Sequence, residues 1–164
     1  RWNSPLREFM MSAGLYLARA AGEIRIISSD SHVQPELDYH LLDHSYDLER
    51  MRAGVRMQIE LGKHDAYKGI LKELKDPLPP DLESDNSLNQ WMLSRASTMH
   101  HISCTARMGT ADDPMAVTNQ YGQVHGFEDL RIADLSIMPD CPRANTNSPA
   151  MMIGERIADF IKAE

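Results

Sequence analysis

The chain has 164 residues, enough for one domain with a real core, and a formal net charge of −7. Charged residues make up 25% of it, and its Lys and Arg are scattered without a basic run, which argues against unspecific binding to nucleic acid or to an anionic membrane. It holds no run of about 18 apolar residues that would span a bilayer, and no signal-peptide pattern opens it.

The first residue is Arg, so a processed or truncated start is expected. Residues 1–22 carry Leu6, Phe9, Met10, Leu15 and Leu17 among small residues, a pattern for a helical or loosely packed segment. Glu23 to Ile27 alternates like a short strand, and Ser28 to Pro35 is rich in turn formers. Over residues 44–61, Leu48, Met51, Val55 and Ile59 form one apolar stripe, which predicts a helix capped by Asp43 or Ser45 and ended by Gly62. His40, His44 and His64 flank it without a shared ligand spacing, so no metal site is expected. Asp76 to Glu83 contains Pro77, Pro79 and Pro80, which exclude regular helix and central strand. It reads as a surface connection that does not split the domain. A further helix is expected over residues 84–97, with Ser84 or Asp85 as cap and Leu88, Trp91, Met92 and Arg95 on adjoining faces.

From His101 to Met108 the chain alternates. Ile102, Cys104, Ala106 and Met108 are apolar, while His101, Ser103, Thr105 and Arg107 are polar. A period of two predicts a strand with one buried face, and places His101 at its polar end. A histidine there exchanges protons near neutral pH and suits a general base; a hydrogen-bonded histidine without chemistry is the alternative. Thr110 to Pro114 is a turn, and Leu130 to Asp134 reads as a second strand. Pro139, Pro142 and the Asn145-Thr146-Asn147 run form a loop. Ser148 is then expected to cap a helix with Pro149 in its first position and Ile153, Ile157 and Ile161 on one side. Cys104 and Cys141 form no C-x-x-C pair, so neither a disulfide framework nor a zinc site is indicated, and a reducing, cytoplasmic compartment is expected. Most of the eleven methionines read as core filler.

Three blocks stand in order: His101 to Gly109, Leu130 to Pro139, and Asn145 to Glu155. They resemble the H-x-x-x-T-x-R-M-G, L-R-V-x-D-A-S-x-M-P and N-x-N-x-x-x-x-M-I-x-E blocks of the glucose–methanol–choline (GMC) flavoprotein oxidoreductases. The resemblance is close over the last part of the chain and loose before it, where Asp38-Tyr39 stands at an Asn-Tyr-like pair. It implies that residues 1–164 are the C-terminal, substrate-binding domain of an FAD-dependent alcohol oxidase or dehydrogenase. The implied fold is α+β, a mainly antiparallel sheet flanked by helices, with the last strand and helix packing on an FAD domain.

The same resemblance implies the site. His101 becomes the base that takes the hydroxyl proton, and Asn145 the group that positions the substrate oxygen. The spacing to Arg107-Met108-Gly109 selects His101, and puts His100 where the family usually has an aromatic residue. Ala133, Asp134, Leu135, Thr146 and Asn147 match positions that lie against the flavin. His101 and Asn145 are expected to meet at a common cavity or open surface. No G-x-G-x-x-G run is present, so the main dinucleotide-binding segment is missing from this stretch. The implied partners are a small-molecule alcohol and an N-terminal FAD-binding segment, in cis or as a separate chain. The isolated chain is expected to be colourless and inactive. The rival readings are a non-catalytic interaction domain and a flavin-dependent lyase.

Overall fold

The helix α1 (Ser45–Gly62) organises the first half of the computed structural model, which describes residues 9–164. It begins one residue after His44, whose Nδ1 accepts the Tyr46 N–H at 3.1 Å; the cap is therefore a histidine, neither Asp43 nor Ser45. His64 does the same for Ala66, at the start of a short 3-10 turn. Two of the three flanking histidines thus serve as caps, while His40 sits against the Ala21 carbonyl and Asp38. The expected stripe holds. Val55 is buried with Leu42, and Leu48, Met51 and Ile59 pack against the same cluster.

The opposing layer is α2 (Asp85–Arg95), capped by Ser84 in a reciprocal box with Ser87. It contributes Leu88 and Met92, the buried centre of this core, while Trp91 and Leu82 cover its edge. Fully burying a side chain such as Leu88 contributes about 2 kcal/mol. The proline-rich connection is fixed to α2 by Asp76, which accepts from Trp91 Nε1 at 2.8 Å and Arg95 Nε at 2.9 Å. The hydrogen bond from Arg95, then that from Trp91, holds the Asp76 carboxyl below its ordinary pKa.

The described chain forms two compact units. The first takes the residues up to Glu23 and Asp38–Ser97, so the proline-rich stretch lies inside it. The second takes Ile24–Leu37 and Thr98–Glu164. Two short strands, β1 (Glu23–Arg25) and β2 (Glu36–Asp38), form a two-stranded antiparallel sheet. Ile24, Ile26 and Ile27 stay exposed, so the alternation read there buries no face among the described residues. No helix forms over residues 9–22, where the sequence allowed one, and Leu6 lies outside the described residues.

The second unit is α+β in class but has little regular strand. The stretches expected as strands at 101–108 and 130–134 carry only isolated bridges, Met108 with Thr118 and Gln123 with Arg131. The first cannot pleat, because Cys104 has a φ of 69°. Its period of two is used differently. The N–H groups of Cys104, Ala106 and Met108 donate in turn to the carbonyls of Leu135, Ser136 and Ile137, a 3-10 turn. The core of this unit joins that turn to α3 (Asn147–Lys162) through Ile137, Ile153 and Ile157.

The buried stripe of α3 continues to Phe160, and Ile161 is exposed, one helical step off the stripe. The same rotation turns Met151 and Met152 outward. Together with exposed Met10, Met57, Met99 and Met115, they correct the expectation that most methionines fill the core; Met92 alone is fully buried.

Thr118 is completely buried, yet its Oγ1 has no hydrogen-bond partner among the described residues. A buried hydroxyl left unpaired costs about 1–3 kcal/mol. Thr118→Val keeps the branched shape and removes that cost. The variant should be more stable by about 1 kcal/mol, read as a higher midpoint in thermal unfolding. A lower midpoint would show that the hydroxyl is satisfied.

Candidate active site

Two segments far apart in sequence meet at one bond. His101 Nδ1 lies 2.9 Å from Thr146 Oγ1. Thr146 is buried at 4% exposure and occupies the cap position of α3, directly after Asn145. It makes no side-chain cap to its own helix. The physical reason is the histidine, since the hydroxyl that would serve the helix is aimed at the imidazole. The helix consequently begins at Asn147, with Thr146 rather than Ser148 before it and Pro149 beyond the first position.

His101 is half-buried, while its neighbour His100 is exposed with a φ of 62°. The hydrogen bonds from Cys104, Ala106 and Met108 then carry the His101 segment along the 3-10 turn Leu135–Ile137. Asp134 precedes that turn and spends its carboxylate on it, accepting the Ser136 N–H at 2.7 Å. The first, second and third blocks are therefore brought together.

The end of the first block is locked from the other side. Arg107 pairs with Asp113 at 2.8 Å, and Gly109 N–H donates to the Thr118 carbonyl at 2.9 Å. His125 Nε2 reaches the Gly109 carbonyl at 3.1 Å. A Cβ on Gly109 would stand 2.9 Å from Ala116 Cβ, so glycine is what lets the two segments approach. Gly122 has a φ of 73°, and a Cβ there would meet the Ile132 carbonyl oxygen at 2.6 Å. These contacts explain why arginine, glycine and the second block belong to one pattern.

Of the residues assigned to the cofactor, Ala133, Asp134 and Asn147 are exposed, Leu135 is half-buried and Thr146 is buried. Asn145 is exposed at the loop end. Two contacts are not legible in the sequence. One is the bond between the Thr146 side chain and His101. The other is a sulfur cluster beside His101, in which Ser103 Oγ lies 3.1 Å from Cys141 Sγ and 3.3 Å from Cys104 Sγ. Burial raises the Cys104 thiol pKa above its ordinary value. A separate open hollow of about 450 Å³, lined in part by Phe127, Asp129 and Arg131, shares no residue with the His101 cluster.

Comparison with known proteins finds relatives over most of the chain. The family model described as GMC oxidoreductase matches residues 18–154. An oxygen-dependent choline dehydrogenase of Stenotrophomonas maltophilia is 36% identical over 157 residues, covering 94% of this chain and 27% of that protein. One of Chromohalobacter salexigens is 34% identical over the same shares. Among solved structures, a formate oxidase of Aspergillus oryzae superposes with a TM-score of 0.79 at 32% identity, over 87% of this chain and 25% of that one. A pyridoxine 4-oxidase from Mesorbium loti gives 0.76 at 26% identity, over 87% of this chain and 27% of that one. The chain thus spans about a quarter of the length of the relatives it matches.

Proposed function

The chain belongs to the GMC oxidoreductase family, and from that premise we propose that it is the substrate-side part of a longer FAD-dependent enzyme that oxidises a small alcohol to the aldehyde. The observation that carries the reading is the His101–Thr146 bond. It joins the block that supplies a base to the loop that supplies a substrate-positioning group.

In this proposal Nδ1 of His101 donates to Thr146, which selects the tautomer with the lone pair on Nε2. Nε2 takes the hydroxyl proton as the alcohol reacts. Asn145 holds the substrate oxygen while negative charge develops on it. Ala133, Asp134, Leu135, Thr146 and Asn147 would lie against FAD. The start of α3 suits an electron-rich group, because its first-turn N–H groups carry no side-chain cap and the helix dipole is positive there. When bound, FAD accepts the hydride from the alcohol carbon. The N-terminal FAD-binding segment, in cis or as a separate chain, is the partner this reading requires. The isolated chain would be colourless and inactive, and the two free cysteines favour a cytoplasmic home.

The test is anaerobic mixing of the full-length, FAD-loaded protein with a panel of small alcohols, choline first because the curated relatives are named for it. Loss of the oxidised flavin absorbance with the matching aldehyde formed is the expected result. A flavin that stays oxidised throughout the panel would favour the non-catalytic reading. Cleavage of the substrate without flavin reduction would identify a lyase.

A further inference from the structure

Cys104 and Cys141 are free thiols whose sulfurs stand 3.8 Å apart. One lies just after His101 and the other just before Asn145. We propose that they form a reversible disulfide, a redox-sensitive modification site that ties the His101 segment to the loop leading to Asn145. Its effect on catalysis rests on the reading of His101 and Asn145 given above; its formation does not.

A disulfide needs its sulfurs about 2.0 Å apart, so the pair must close by roughly half of the present separation. The backbone of Cys104 is held, with its N–H on the Leu135 carbonyl at 3.1 Å and a φ in the left-handed region. Cys141 is exposed, and its N–H is bonded to the side chain of its own neighbour Asp140. Movement therefore falls on the Cys141 side, in the loop that carries Asn145. Ser103 Oγ, which now contacts both sulfurs, gives up its contact as they join.

The step balances with a low-molecular-weight disulfide such as oxidised glutathione as oxidant. The accessible Cys141 thiolate attacks one of its sulfurs, the external S–S bond breaks and one glutathione thiolate leaves. Cys104 loses its proton to solvent, and its thiolate attacks Cys141 Sγ, expelling the second glutathione thiolate. Two protein thiols are oxidised by two electrons, one external disulfide is reduced, and the protons end on the released thiols. Cys104 suits the second role, since it is half-buried where Cys141 is exposed to the external disulfide, and its own attack is intramolecular at a sulfur already 3.8 Å away.

The full-length enzyme is equilibrated with excess oxidised glutathione, alkylated, and digested with trypsin without reduction. Mass spectrometry should find peptide 96–107 joined to peptide 132–143 with the loss of two hydrogens. The species should vanish in dithiothreitol and be absent from Cys104→Ser and Cys141→Ser. In parallel, the rate of flavin reduction should fall by about tenfold or more, as expected when a positioning group shifts by a fraction of an ångström to 1 Å. It should recover on reduction, and Cys141→Ser should keep the reduced wild-type rate throughout. Glutathione on Cys141 without the joined peptide overturns the proposal. A joined peptide with an unchanged rate overturns the coupling to the site. The peptide is read by mass whatever the enzyme's activity, so failure of the alcohol reading is seen separately.

Discussion

His101→Ala in the full-length enzyme should slow flavin reduction by on the order of 10²–10⁴-fold while leaving substrate binding nearly unchanged. A general base acts as the proton leaves, so its loss falls on the transition state and not on the ground-state complex. Asn145→Ala should cost less, roughly 10²–10³-fold at most, as an oxyanion donor does. Thr146→Val removes the hydroxyl that holds Nδ1 and keeps the side-chain shape. It is a positioning change and should cost no more than about 10²-fold. Thr146→Ser, which keeps the hydroxyl, should restore the rate. His100→Ala should leave the rate near wild type, because His100 is exposed and His101 is the residue bonded to Thr146. Anaerobic stopped-flow reduction of the bound flavin measures all of these. If His100→Ala were slow and His101→Ala near wild type, the register read from Arg107-Met108-Gly109 would be wrong.

The helices were legible because their signal is local. Leu48, Met51, Val55 and Ile59 repeat at helical spacing, and three of them surround Val55's neighbours in the first core as that spacing requires. The caps were less legible. Any residue with a side-chain acceptor can take the N2 amide, and at α1 this was His44 rather than the more usual serine or aspartate. At α3 the serine with its following proline looked decisive, but the boundary was set by Thr146, whose hydroxyl answers to a histidine distant in sequence. The alternating stretch from His101 misled for the same reason. Alternation reports which N–H groups point the same way, and here they point at a 3-10 turn instead of a neighbouring strand. Block order located His101 and the Asn145 loop together. The meeting of Cys104 with Cys141 depends on how two loops fold back, and no spacing encodes it.

The second large effect lies in the first unit, at Asp47. This residue is fully buried in the first turn of α1. Its Oδ2 accepts the N–H groups of Arg19 and Ala20 at 2.7 and 2.9 Å. Arg50, one turn further along the helix, stands 3.8 Å from Oδ1 and donates to the carbonyls of Leu17 and Tyr16. The Arg19 and Arg50 guanidinium groups also flank the Tyr46 ring, at 5.8 and 5.4 Å from its centre. The segment around residues 16–20, which turns at Leu17 with a φ of 50°, has no helix or strand of its own and is held by α1 through this carboxylate. Asp47→Ala leaves the two amides without their acceptor and removes the carboxylate 3.8 Å from the Arg50 guanidinium, which costs about 3 kcal/mol or more. A full-length protein about four times the length of this chain should lose only roughly 2–3 °C of melting temperature if it melts as one, because its unfolding entropy is about 2.1 cal/mol/K per residue. A local readout decides the mechanism. Hydrogen exchange at Arg19 and Ala20 should speed up by about 10²-fold, because 3 kcal/mol of lost protection is a little over two factors of ten. Asp47→Asn keeps one oxygen for the amides but turns an amide donor toward Arg50, so it should fall between alanine and wild type in both measurements. Unchanged exchange at Arg19 and Ala20 in Asp47→Ala would mean that the segment is held by its apolar contacts, chiefly Leu15 against the first core, and not by the carboxylate.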